Sequence, residues 1–179
     1  MKIAKKRRGA VIKQFRDKVV NIFGANLNFA FICGSFARGD YTKKHDIDMF
    51  ICLKRTKNVR KATFHKWYVK FNLINGFRPD PNFGEEIINY TELLKKINKA
   101  INRPMLMIKN RDIYDGIVWS GMLSGKVVGF CGDRILFNKT RKGAINVCKK
   151  WISSLSPFKI SESHIDIELK NLIIYKNEQ

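Results

Sequence analysis

The stretch Phe29–Phe50, FAFICGSFARGDYTKKHDIDMF, constrains this chain more than any other. An apolar run closes on Gly34 and Ser35, a short polar segment follows, and a second apolar run carries Asp46 and Asp48 two residues apart. Side chains of an extended strand alternate between faces, so the two aspartates share one face while Ile47 and Met49 take the other. Carboxylates held side by side repel each other unless a cation lies between them. A hard divalent cation that prefers oxygen ligands and keeps positions open for phosphate suits the pair, Mg²⁺ first and Mn²⁺ as its substitute. Gly34 and Ser35 supply the complementary half. Directly after a strand, glycine lets the backbone turn sharply and approach a ligand, and a following turn of helix directs unpaired amides at an anion.

The flanking sequence sets this stretch in a layered fold. Val11, Ile12, Phe15, Val19, Val20 and Phe23 recur at spacings of three and four, which predicts an amphipathic helix over 5–23 with a basic opposite face. Leu27–Cys33 reads as a buried strand, Phe36–Asp40 as one helical turn, and Ile47–Leu53 as a second strand with the aspartates at its start. A basic, aromatic helix is expected within 54–70, and a third strand somewhere between Arg78 and Asn89, where Pro79, Pro81 and Gly84 forbid a helix. A helix capped by Asn89 or Thr91 runs to Arg103, with Leu93, Leu94, Ile97, Ala100 and Ile101 on one stripe. Past Pro104 the pattern weakens: strand or helix at 105–108, helix at 113–123, strand at 127–131, helix at 142–155, and at 164–175 a helix, although Ile165, Ile167 and Leu169 also alternate as in a strand. The segment Gly121–Lys126 is not a phosphate loop, because it is one residue short between its glycines and is followed by Val127 rather than Ser or Thr.

Charge bears on the partner. The 35 Lys and Arg exceed the 15 Asp and Glu by 20, and such an excess points to a polyanion, nucleic acid first. Lys, Ile and Asn are together what an AT-biased genome favours, so the charge is weighed below the motif. Lys54, Arg55, Lys57, Arg60, Lys61, Lys66 and Lys70 come with no acid among them and are interleaved with Phe64, Trp67, Tyr68 and Phe71. The plain reading is a solvated face with the aromatics on the core; the functional one is a surface that stacks and neutralises nucleic acid. Cys33, Cys52, Cys131 and Cys148 lie too far apart for a zinc site or a disulfide framework, and the first two read as core thiols. The N-terminus lacks the apolar stretch of a signal peptide and no run is long enough to span a membrane, so a cytoplasmic setting is expected.

Helix, strand, Gly-Ser turn, strand with two aspartates, helix, and a strand with a further carboxylate nearby resemble the DNA polymerase β-like nucleotidyltransferase superfamily. The matching residues are Cys33, Gly34 and Ser35, then a ten-residue spacer, then Asp46, Ile47 and Asp48. The form GSFARGD is similar to small bacterial members, the minimal antitoxin-type and antibiotic nucleotidyltransferases. The resemblance implies an α/β (α+β) fold: a small mixed sheet flanked by helices, with a mainly helical C-terminal part, divided as 1–103 and 104–179. It further implies Asp46 and Asp48 as metal ligands and a third carboxylate that activates the acceptor hydroxyl. Spacing gives that third role to Asp80, with Glu85 and Glu86 as rivals. Gly34 and Ser35 would hold the triphosphate of an NTP, ATP being the expected one, and Arg38 and Lys44 are phosphate partners. Many small members carry Ser before the first aspartate; here it is His45.

The implied activity is transfer of an NMP to a hydroxyl with release of pyrophosphate. Three acceptors remain open: an RNA end such as that of tRNA, suggested by the basic segments around Arg60 and Lys5–Arg8; a protein hydroxyl; and an antibiotic. The competing reading is a catalytically idle module that keeps the fold to bind RNA or a partner toxin. Such a module would bind with steep salt dependence and consume no NTP.

Overall fold

A computed structural model describes residues 5–42, 45–57, 60–80, 87–102 and 111–155. The chain forms two compact units, one of Met1–Tyr90 with Lys126–Arg134, the other of Thr91–Gly125 with Ile135–Gln179. Compactness divides the chain after Tyr90 and returns Lys126–Arg134 to the first unit.

The first unit opens with helix α1 (Lys5–Phe23), whose apolar stripe of Val11, Phe15, Val19 and Phe23 is buried as its spacing requires. A turn of 3₁₀ helix leads into strand β1 (Leu27–Ile32), then the short helix α2 (Gly34–Arg38), strand β2 (Met49–Leu53), helix α3 (Lys61–Asn75) and strand β3 (Ile87–Asn89). Strand β4 (Val128–Gly132) completes a mixed sheet of order β3-β2-β1-β4. β1 is antiparallel to both β2 and β4, and β3 lies parallel to β2.

Both faces of the central strands are apolar. Ala30, Ile32, Met49, Ile51 and Leu53 join α1 and Phe64, Tyr68 and Phe71 of α3 in one core. Phe29, Phe31 and Phe50 stack on the opposite face, with Phe31 and Phe50 centroids 5.3 Å apart. Each such fully buried side chain contributes roughly 1.5–3 kcal/mol, which fixes the register of the two strands that frame the Gly-Ser turn.

Two expectations shift here. The helical turn expected at Phe36–Asp40 begins at Gly34, and β2 begins at Met49, so Asp46 and Asp48 precede the strand instead of opening it. Alternation nevertheless persists: Ile47 and Met49 are buried while Asp46 and Asp48 are partly exposed. A bond from the Cys33 amide to the Asp48 carbonyl, 3.0 Å, keeps the pre-strand segment beside the end of β1.

The second unit contains α4 (Tyr90–Asn102) from Thr91 onward, α5 (Arg111–Ser124), and α6 (Arg134–Leu155) from Ile135 onward. Leu93, Ile97 and Ala100 of α4, Ile113, Ile117 and Leu123 of α5, and Phe137, Val147 and Cys148 of α6 are buried. Gly116 lets α5 approach the Lys96 carbonyl of α4 at a distance that a methyl group would forbid. Arg141 donates to the carbonyls of Ser124 at 3.0 Å and Gly125 at 3.2 Å, satisfying the C-terminal end of α5. The sequence reading began α6 at 142; it starts eight residues earlier, at Arg134. The elements expected at 105–108 and 164–175 lie outside the described residues.

All four cysteines are free and buried. Burial pushes the Cys52 thiol up to about 12, consistent with a packing residue. No helix among the described residues is long and apolar enough to cross a membrane.

Candidate active site

The site grows from the end of β1. Gly34 adopts φ +60, a left-handed conformation that favours glycine, and a methyl group on it would overlap the carboxylate of Asp48. The glycine of the motif is therefore required twice, by its dihedral and by the carboxylate it faces. Beside it, Ser35 is buried and its Oγ has no hydrogen-bond partner among the described residues. A buried hydroxyl left unpaired is costly in a folded protein, so this atom marks where a ligand would be repaid.

Asp46 lies on the other side of the motif. Its Oδ2 accepts a 2.7 Å hydrogen bond from the Tyr68 hydroxyl of α3. Burial holds the Asp46 carboxyl above the usual carboxylate range; Tyr68 opposes that shift, and the charge of Asp80 reinforces it. Burial and the adjacent Asp46 charge push Tyr68 far above the ordinary phenol range, so it stays a donor. The same hydroxyl accepts the Asp80 amide at 3.2 Å. Asp80, the expected third carboxylate, thus belongs to the electrostatic neighbourhood of Asp46. Asp48 also acts on Tyr68 through its charge.

Asn72, one turn along α3, accepts the Ile47 amide on its Oδ1 at 2.9 Å and donates to the Tyr68 carbonyl at 3.1 Å. Neither Tyr68 nor Asn72 was singled out as a site residue from sequence. Tyr68 reads as one more aromatic on the core stripe, and it is fully buried there; only its hydroxyl serves the site. The available signal was a Tyr followed four residues later by an Asn, both on the buried stripe of α3.

The remaining expected residues divide. Arg38 pairs with Asp40 at 3.1 Å. His45 is exposed and its Nδ1 accepts the Thr42 amide at 3.1 Å, a local turn contact. Lys44, Glu85 and Glu86 lie outside the described residues. Among the basic and aromatic groups, Phe64, Tyr68 and Phe71 are core, and Trp67 stacks on Phe71 at 4.5 Å. Arg8 donates to the Phe36 and Ala37 carbonyls at 3.1 and 2.8 Å, and Arg7 to that of Asn75 at 3.2 Å. These two arginines of the N-terminal cluster fasten the fold. Lys57, Arg60, Lys66 and Lys70 are exposed.

Among the described residues no group of three or more His, Cys, Asp or Glu side chains stands as a ready metal cage. Mg²⁺ does not need one: it is commonly held by one or two carboxylates together with substrate phosphates and water. The Asp46 and Asp48 pair, with Gly34 keeping a side chain off the Asp48 carboxylate, has the oxygen donors for such a cation.

A mixed sheet whose central strands meet at a Gly-Ser turn facing an acid-x-acid segment defines a nucleotidyltransferase-type core. The nucleotidyltransferase domain family matches residues 12–106, more than half of the 179-residue chain, and the chain belongs to that family. Membership supports nucleotidyl transfer as the general activity and agrees with the polymerase β-like superfamily. No curated protein and no solved structure matches significantly.

Proposed function

We propose that this chain transfers an NMP from an NTP to a hydroxyl group, with Asp46, Asp48, Gly34 and Ser35 at the nucleotide and Asp80 at the acceptor. The observation that carries the reading is Ser35 Oγ, buried and unpartnered beside a Gly34 shaped around the Asp48 carboxylate. In this reading Gly34 and Ser35 hold the triphosphate, the serine hydroxyl donating to a phosphate oxygen. Asp46 and Asp48 would hold Mg²⁺, which supplies charge neutralisation on the phosphates. Asp80 accepts the proton of the acceptor hydroxyl, whose oxygen attacks the α-phosphorus as the bond to the bridging oxygen breaks and pyrophosphate leaves. Positioning and electrostatic stabilisation carry the acceleration.

The acceptor we favour is a hydroxyl at an RNA end. The charge of +20 and the exposed cations Lys57, Arg60, Lys66 and Lys70, in α3 and the loop leading into it, support it. The test offers each α-labelled NTP in turn, with Mg²⁺, to total RNA, cell lysate and an antibiotic panel. Label in RNA is the expected result; label in protein or antibiotic replaces the acceptor and keeps the activity. Steeply salt-dependent RNA binding with no transfer of any label would instead identify an idle binding module.

A further inference from the structure

We propose that α3 carries a positioning pair, Tyr68 and Asn72, which sets the Asp46–Ile47–Asp48 segment against the segment bearing Asp80. The inference rests on the reading of those aspartates as the transfer site. Tyr68 and Asn72 are both 0% exposed and lie four residues apart, so they share one face of the helix. The Tyr68 hydroxyl and the Asn72 Oδ1 both bond the acidic segments. The Tyr68 hydroxyl donates to Asp46 and accepts the Asp80 amide; Asn72 Oδ1 accepts the amide of Ile47, the residue between the aspartates. The Asn72 Nδ2 bond to the Tyr68 carbonyl ties the pair to one turn of helix.

Packing alone does not call for these atoms. A phenylalanine at 68 would fill the same space without the cost of burying a hydroxyl. What the oxygen adds is a fixed orientation for the Asp46 carboxylate and a shared anchor for Asp80, joined by the bond from the Arg78 amide to the His45 carbonyl at 3.2 Å. Groups that orient metal-binding carboxylates in this way commonly change metal affinity or activity by about 10–100-fold when removed.

The test compares wild type, Tyr68→Phe and a control, Asn75→Ala, which loses a buried amide bonded within α3 to the Phe71 carbonyl. Three quantities are read: Mn²⁺ affinity from the EPR signal of free Mn²⁺, amide exchange at Asp80 in the metal-free protein, and kcat and KM for the NTP. Tyr68→Phe is expected to weaken Mn²⁺ binding about tenfold, to speed exchange at Asp80 but not at Phe50, and to lower kcat with KM little changed. The control moves melting temperature without moving these. Should Tyr68→Phe not fold, Asn72→Ser, which releases the Ile47 amide, takes its place with changes in Mn²⁺ affinity and kcat of the same direction. Wild-type Mn²⁺ affinity and kcat in the variant, whatever its melting temperature, overturn the inference. A wild type that neither binds Mn²⁺ nor transfers overturns the proposed function, and this inference with it, before any variant is compared.

Discussion

In the second unit Asp115 takes Lys96 at 2.6 Å and Arg111 at 2.9 Å, and Asp112 takes Lys99; in the first, the hydrogen-bond partner of Asp46 is a neutral tyrosine hydroxyl at 2.7 Å. The consequences run in opposite directions. The hydrogen bond from Lys99 holds Asp112 below the usual carboxylate range, whereas burial holds Asp46 above it. One unit closes its acids with cations and uses them to join helices α4 and α5. The other keeps a half-buried acid whose carboxyl is held above its usual range, and, in the Gly-Ser turn, a buried serine hydroxyl with no partner among the described residues; a cationic or phosphate ligand would relieve both.

The largest effect should come from breaking the closed side. Asp115→Ala leaves Lys96, whose side chain is 14% exposed, without its nearest acid, and should cost about 3 kcal/mol in urea unfolding. Mn²⁺ affinity of the folded protein should not change; a change would blur the division between closed and open acids. Gly34→Ala comes next, because it strains a left-handed residue and displaces the Asp48 carboxylate. Transfer should fall about 100-fold, measured as kcat/KM. Ser35→Ala should raise the NTP KM about tenfold while stability stays within about 0.5 kcal/mol, since the lost hydroxyl has no partner to strand. A marked destabilisation would show that Oγ is structurally bonded after all.

The smallest effect concerns Asp46→Asn in EDTA. Because the folded carboxyl has a raised proton affinity, its charge costs native stability at neutral pH, and that cost disappears as pH falls through the folded value. The variant should therefore melt higher than wild type near pH 7, with the gap shrinking on acidification. A variant that melts lower at neutral pH would mean that Asp46 is compensated like Asp115.

What sequence could reveal follows from the range of the interactions. The elements from α1 to β2 were legible because the 3.6-residue apolar period of α1 and the continuous apolar runs of β1 and β2 are local, and so was the motif, whose spacing is read along a single stretch. The reason for Gly34 was only half legible: its turn could be inferred, its collision with Asp48 could not. β4 was expected as a strand, but its place beside β1 depends on a pairing of Cys131 with Ala30 across a hundred residues. The start of α6 was missed because Lys139, Arg141, Lys142 and Gly143 interrupt the stripe begun by Phe137. Tyr68 and Asn72 were invisible for a different reason. Burial and site contact fall on the same residues, and a hydrophobic stripe announces only the burial.

The most direct test is transfer of label from an α-labelled NTP, with Mg²⁺, by wild type, Asp46→Ala and Asp48→Ala, each checked for a cooperative melt. The acidic pair as the transfer site predicts label transfer by wild type and at least about a thousandfold loss in both folded variants. Wild-type transfer by both variants would contradict it.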